Sequence, residues 1–136
     1  MLEKKLRKVS ADSECFVCGS KNPIGLKAEF TIDTAQGRSS ATLQLGNEFQ
    51  GWQDVIHGGV LAALLDEACI YACRTKADQC VTAELQVRYR KPVPVGAIVE
   101  VTGQLDDSSR KIWQASAKLN VAGSLYAEAQ AKVFIL

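Results

Sequence analysis

The chain has a single histidine and no second Cys-x-x-Cys, so two common sequence signatures of a zinc site are missing. No run approaches the roughly 18 apolar residues that a membrane-spanning helix needs. Charge is almost balanced, with 16 basic residues against 15 acidic and a net charge of +1. No strong field therefore draws nucleic acid or a membrane to the whole surface, and neither is expected as a partner. There is no internal repeat, no low-complexity segment and no DNA-binding helix-turn-helix. Met1 to Ser10 holds four basic residues and two leucines. That composition lacks the apolar region of a signal peptide and places the protein in the cytoplasm as an expectation.

Cysteine is present, but the five residues are an odd number without the spacing of a disulfide framework. In a reducing compartment they stay thiols. Cys15-Phe16-Val17-Cys18 is the one suggestive pair. Its other half would have to come from Cys69 and Cys73, or from Cys80 and His57. We expect packing thiols there, no metal and no cofactor.

What organises the chain is His57-Gly58-Gly59-Val60-Leu61-Ala62-Ala63-Leu64-Leu65-Asp66-Glu67-Ala68, running on to about Arg74. From Val60 to Cys73 it has good helix formers and no Gly or Pro, with apolar residues around almost the whole circumference, which predicts a buried helix. The Gly-Gly start leaves backbone N–H groups open to an incoming oxygen. Asp66 inside this run is costly unless it is paired, hydrogen-bonded or used. Gly59 and Asp66 share a helix face but lie roughly 10 Å apart along the axis. One reacting carbonyl cannot touch both, so if both serve one reaction, two chains must supply them.

With 136 residues the chain reads as one domain, 1–136, with a charged arm over 1–12 and a turn-rich strap over 13–25. Leu26, Ala28, Phe30 and Ile32 alternate with polar residues as a first strand, and Ala41, Leu43 and Leu45 mark a second. A loop with Phe49 and Trp52 leads into the helix. Beyond the helix Val81, Ala83, Leu85, Val87 and Tyr89 alternate with Thr82, Glu84, Gln86, Arg88 and Arg90. Ile98 to Leu105, a strand carrying Trp113 to Val121, a tight turn at Ala122–Ser124, and Leu125 to Ile135 complete the pattern. Two strands, a helix and four strands joined by short turns predict an α+β fold, an antiparallel sheet wrapped around a long central helix.

This order, with His-Gly-Gly opening the helix and an acid nine residues after the His, resembles the hotdog-fold acyl-CoA thioesterases of the phenylacetate-pathway (PaaI-like) branch. The residues that carry the likeness are His57 to Ala68, then Val81-Thr82-Ala83-Glu84-Leu85-Gln86-Val87-Arg88-Tyr89-Arg90-Lys91-Pro92-Val93. Cys15 to Gly19 with Asn22 to Leu26 looks like the amino-terminal signature of a bacterial subgroup. The resemblance implies a hotdog fold, self-association as a homodimer or a dimer of dimers (a homotetramer), and an acyl-CoA substrate, coenzyme A being part of the substrate. It implies that the N–H after the His, here Gly58 with Gly59 close by, polarises the thioester carbonyl. It implies too that Asp66 of the partner chain is general base or nucleophile, and that the Thr82 hydroxyl orients Asp66 or the water. The likeness departs at Gly51, where some relatives carry Asn. Gln50 or Gln53 takes over that contact, or the contact is missing.

The chemistry of the residues agrees. Thioester hydrolysis builds negative charge on the carbonyl oxygen, which fixed N–H donors oppose without reorganisation. The attacking water must lose a proton, a task for a carboxylate, and an anhydride route through Asp66 is equally compatible. Simpler roles stand beside these. His57 caps the helix or contacts substrate, and Asp66 is a catalytic acid or a satisfied buried one. Glu67 is the reserve acid, pointing about 100° away round the helix. Arg88, Arg90 and Lys91 bind the phosphates of coenzyme A or are ordinary surface. Phe49 and Trp52 line an acyl pocket or cover an interface. Alternatives on the same fold are an acyl-thioester hydratase or dehydratase, or a non-catalytic acyl-CoA-binding protein.

Overall fold

The computed structural model describes residues 13–136, so the charged arm expected over 1–12 lies outside the described residues. In chain order it has β1 (Thr31–Asp33), β2 (Arg38–Gln44), a 3-10 turn (Asn47–Phe49), α1 (Gly58–Cys73), β3 (Cys80–Tyr89), β4 (Ile98–Asp107), β5 (Ile112–Val121) and β6 (Ser124–Ile135). One antiparallel sheet of six strands has the order β1-β2-β4-β5-β6-β3 and curves around α1, the expected α+β architecture. Among the described residues the ten-residue β3 is an edge strand, paired only with β6.

α1 starts at Gly58 behind the His57 cap, is carried on by Val60, Leu61 and Ala62, and ends as the Arg74 N–H returns to the Ile70 carbonyl at 2.9 Å. Leu61, Leu64, Leu65, Ala68, Cys69, Ala72 and Cys73 are buried against the sheet. Each large one contributes about 1.5–3 kcal/mol. The apolar circumference does not translate into burial all round. Val60, Ala63, Asp66, Glu67, Ile70 and Tyr71 are half-buried, because the sheet covers one side and only the strap leans on another.

Three further expectations are corrected. The strand over 26–33 is paired only from Thr31. Lys27 has φ 52, a left-handed conformation that interrupts a strand, and the Leu26 and Ala28 amides donate to Phe16 and Val17 carbonyls of the strap at 2.8 Å. The alternation reported correctly that Leu26 and Ala28 are buried, but not what their backbone pairs with. β4 runs to Asp107, whose carboxylate then accepts from the Ser109 amide and hydroxyl to make the turn.

The last correction concerns β3. Its register against β6 shifts between Thr82 and Glu84, a β-bulge that leaves Ala83 unpaired. Thr82, Leu85, Val87 and Tyr89 therefore stand opposite Val133, Ala131, Ala129 and Ala127, all buried on the helix side. Simple alternation puts Thr82 on the outer, polar face. The extra residue turns it inward.

The helix meets the sheet most closely at Gly103. A Cβ there would overlap the Ala68 carbonyl oxygen and lie 2.6 Å from Ser39 Oγ. Ser39, a buried polar residue, donates its hydroxyl to the same carbonyl at 2.7 Å. Overpacking of this kind costs about 1–3 kcal/mol. Gly103→Ala should lower stability by at least that much in urea unfolding, and an unchanged midpoint would contradict the contact.

Burial first, and the Cys80 thiol second, push Cys73 up to about 12 from an ordinary 9.0. Between those values the unfolded chain has released a proton that the folded chain retains, so stability is complete below pH 9 and falls toward pH 12. This thiol should contribute about 1.4 kcal/mol of loss per pH unit in that window. Urea unfolding under a non-thiol reductant should show a shallower alkaline decline for Cys73→Ala, and equal slopes would refute the assignment.

Candidate active site

The start of α1 is built by the residue before it. His57 adopts φ −59, ψ 132, and its ring Nδ1 accepts the Gly59 N–H at 2.8 Å, so it does cap the helix. A neutral ring accepting at Nδ1 carries its proton on Nε2, which makes that nitrogen a donor. The Val60 and Leu61 amides go to the His57 carbonyl at 3.0 and 3.3 Å. The Gly58 N–H has no hydrogen bond among the described residues, which leaves it as the open donor of the first turn. Gly59, expected beside it as a second donor, is already engaged by the imidazole.

Tyr89 holds this end in place from the sheet. Its hydroxyl donates to the Gly58 carbonyl at 2.8 Å, and its ring lies 3.4 Å from where a Gly58 Cβ would be. Sequence reasoning gave Tyr89 only a place on a strand face. The signal available was its position at the inward end of that face, but nothing local links it to a residue 31 positions away.

The loop before the helix explains the missing Asn. The Gly51 amide donates to the Val55 carbonyl at 2.8 Å, and Asp54 turns the chain with φ 64. A side chain on Gly51 would start 3.0 Å from His57 Cα, so no Asn fits there without a shift. Gln50 turns its Oε1 to the Asp54 amide at 2.8 Å, keeping only its NH2 group for other partners. Gln50, Gly51, Trp52, Ile56, His57 and Gly58 line an open depression. Trp52 is 86% exposed beside it, Phe49 packs against the core, and Gln53 lies on the exposed turn.

Two turns along the helix, the neighbouring acids diverge. Asp66 is half-buried and its Oδ1 accepts the Thr82 hydroxyl at 2.5 Å, the contact that the bulge makes possible. Glu67 faces the strap, where the Cys15 thiol lies 3.5 Å from its Oε2. Burial and Glu67 push the nearby Cys18 thiol up to about 12. Burial also raises Cys69 and Cys80, which together with Cys73 sit in the core and not beside Cys15. Gly58 and Asp66 are eight residues apart on one unbroken helix, roughly 12 Å.

The basic residues do not form one group. Arg88 and Arg90 line a shallow depression with Gln86, Lys118 and Glu128, and Arg90 pairs with Glu128 at 2.5 Å. The Lys91 ammonium lies 5.4 Å from the centre of the Tyr126 ring. Arg88 alternates with Val87 and Tyr89, so it is on the outer face of the sheet, away from Asp66. Among the described residues no helix is long and apolar enough to cross a membrane.

The sequence and the fold have counterparts. The sequence pattern of the thioesterase superfamily matches residues 53–124, more than half of the chain and the part that carries the helix and both acids. Acyl-coenzyme A thioesterase THEM4 of Bos taurus is 27% identical over 121 residues, 88% of this chain and 50% of that protein. The chain thus spans about half the length of the curated relatives it matches. A solved thioesterase superfamily protein superposes with a TM-score of 0.83 at 24% identity, covering 91% of this chain and 61% of that one. The phenylacetic acid degradation protein PaaI of Thermus thermophilus, solved as a mutant, superposes with a TM-score of 0.73 at 25% identity over 80% of this chain and 93% of its own. By its sequence and by the wrapping of its sheet around one helix, the chain belongs to the thioesterase superfamily, as a hotdog-fold protein of the PaaI-like kind.

Proposed function

We propose that the protein hydrolyses an acyl-CoA thioester to a carboxylic acid and free coenzyme A, in sites completed by two copies of the chain. The observation that carries this reading is the pairing of Asp66 with Thr82 on a half-buried helix face, while the Gly58 amide stands open at the helix start. The name of the curated relatives, acyl-coenzyme A thioesterase, supports the substrate class.

In the proposed reaction the Gly58 N–H of one chain donates to the thioester oxygen, with His57 Nε2–H beside it as a second donor. Asp66 of the other chain, turned by the Thr82 hydroxyl, takes a proton from water. A C–O bond forms, the C–S bond breaks, and coenzyme A leaves as a thiolate that recovers the proton. In the nucleophile variant Asp66 attacks first and water then cleaves the anhydride. Tyr89 acts through Gly58 as a positioning residue. The long free edge of β3 supplies a place for the second copy, since among the described residues its outer N–H and C=O groups have no neighbouring strand. Of the two arginines, Arg88 is the freer for coenzyme A phosphates, because Arg90 is committed to Glu128. We place the reaction in the cytoplasm, where the thiols stay reduced.

Gly58 is the first helical residue, where proline is tolerated, and His57 already has the extended backbone that precedes proline. Gly58→Pro therefore deletes the donor N–H with little cost to the fold and should lower kcat by about 10²–10³ in a thiol-release assay. Asp66→Asn should lower it by about 10²–10⁴. Either variant retaining full turnover while folded by circular dichroism would rule out its role. Unfolding and refolding the two variants as a mixture should restore about one quarter of wild-type activity, since half the dimers are mixed and each has one intact site of two. No recovery from protein shown to have exchanged subunits would exclude the cross-chain site.

A further inference from the structure

The strap brings together three groups that the proposed hydrolysis does not use. Cys15 and Cys18 lie on one turn, closed by the Gly19 N–H to the Cys15 carbonyl at 2.9 Å. That turn is too tight for any side chain at its end. A Cβ on Gly19 would overlap Cys15 N and Ser13 O and lie 2.6 Å from Cys15 O. Leu26 and Ala28 dock the strap through their bonds to Phe16 and Val17, and the buried Val17 anchors it on the core. The two thiols are thereby set against α1, where Glu67 meets them.

The sulfurs of Cys15 and Cys18 and a carboxylate oxygen of Glu67 all lie within 4.8 Å of one another, and all three residues are half-buried. Cys15 Sγ is 3.5 Å from Glu67 Oε2. A tetrahedral zinc with Zn–S of about 2.3 Å and Zn–O of about 2.0 Å holds its sulfur and oxygen ligands about 3.5 Å apart. We infer that Cys15, Cys18 and Glu67 form a site for a zinc-class divalent cation that clamps the amino-terminal strap to the central helix.

The donor set decides the metal class. Two sulfurs select zinc or a similarly soft cation over magnesium or calcium, which take oxygen donors. A carboxylate beside two thiols is a good third ligand to a cation that they bind. Binding releases the two thiol protons to solvent, and water fills the fourth position, with the Tyr71 hydroxyl beside Cys18 as its neighbour. A Cys15–Cys18 disulfide is the competing use of the same pair, and it would take from Glu67 its thiol partner. Cys69, Cys73 and Cys80, three of the partners that the sequence offers this pair, are buried elsewhere, and His57 caps the start of α1. The clamp grips α1 one residue from Asp66, so metal would fix the helix where the proposed site needs it.

Cobalt(II) titration of the full chain, reduced and freed of metal, tests this without reference to thioester turnover. One equivalent per chain should give sulfur-to-cobalt charge-transfer absorption and the intense visible bands of a tetrahedral ion, with zinc displacing them. Cys15→Ser and Cys18→Ser should each lose the charge-transfer band of the thiolate removed. Glu67→Gln should weaken binding by more than the roughly 10- to 100-fold typical of an outer-shell partner. Cys73→Ala should keep the spectrum. Circular dichroism of each metal-free variant separates loss of the site from loss of the fold. No thiolate band in the wild type would overturn the proposal, and so would charge-transfer bands of undiminished intensity in folded Cys15→Ser and Cys18→Ser. A Cys15–Cys18 disulfide in protein isolated without reductant, with no metal uptake after reduction, would also overturn it in favour of a redox pair.

Discussion

The contact between the Ala68 carbonyl and the bare backbone of Gly103 sets where α1 lies along the sheet. With no Cβ in the way, the helix comes close enough for the Ser39 hydroxyl to reach that same carbonyl. Both partners sit on the paired strands β2 and β4, so the helix is fixed to the most regular part of the sheet. Its remaining positions then follow from helical geometry. Asp66 falls opposite Thr82, Glu67 turns about 100° away toward the strap, and Gly58 lies about 15 Å back along the axis at the Tyr89 end of β3.

Much of this frame is legible in the sequence. The helix, its opening at His57, the two strands before it and the four after it can be read from periodicity and turn residues, because each signal is local. The Ala122–Gly123 turn is a clear example: both residues have positive φ, 49 and 82, as a two-residue hairpin of this kind demands. What escapes is anything set by pairing between distant segments. Thr82 faces inward because of one extra residue, and strict alternation has no way to announce an insertion. Residues 26–30 alternate like a strand, yet the Leu26 and Ala28 amides bond to the strap. Tyr89, Gly103 and the approach of Glu67 to Cys15 each depend on contacts between residues far apart in the chain.

The adjacent acids show how one helix places two carboxylates in different surroundings. As sequence, Asp66 and Glu67 compete for one role. In the fold they have different neighbours: a hydroxyl on the sheet side and thiols on the strap side. A hydroxyl donor fixes the direction of a carboxylate, which suits a group that must meet water. Thiols offer no such strong donor, so Glu67 among them is better matched to a cation than to proton transfer. The difference arises from the rotation per residue and not from any difference in side-chain chemistry.

Closing the proposed site within one chain would require Gly58 and Asp66 to come within about 3 Å of a shared reacting atom. The helix between them has no proline and is unbroken from Gly58 to Cys73, so the approach means unwinding its first two turns. That would expose Leu61, Leu64 and Leu65, at about 1.5–3 kcal/mol each. It would also break several helical hydrogen bonds at about 0.5–1.5 kcal/mol each. The total is comparable to the whole stability of a domain, about 5–15 kcal/mol. The proposed cross-chain site needs no such unwinding, because each helix supplies one of the two groups and stays intact. Asp66 is already on the side of α1 that the sheet leaves half-covered, so the cross-chain arrangement asks for no rearrangement of the core.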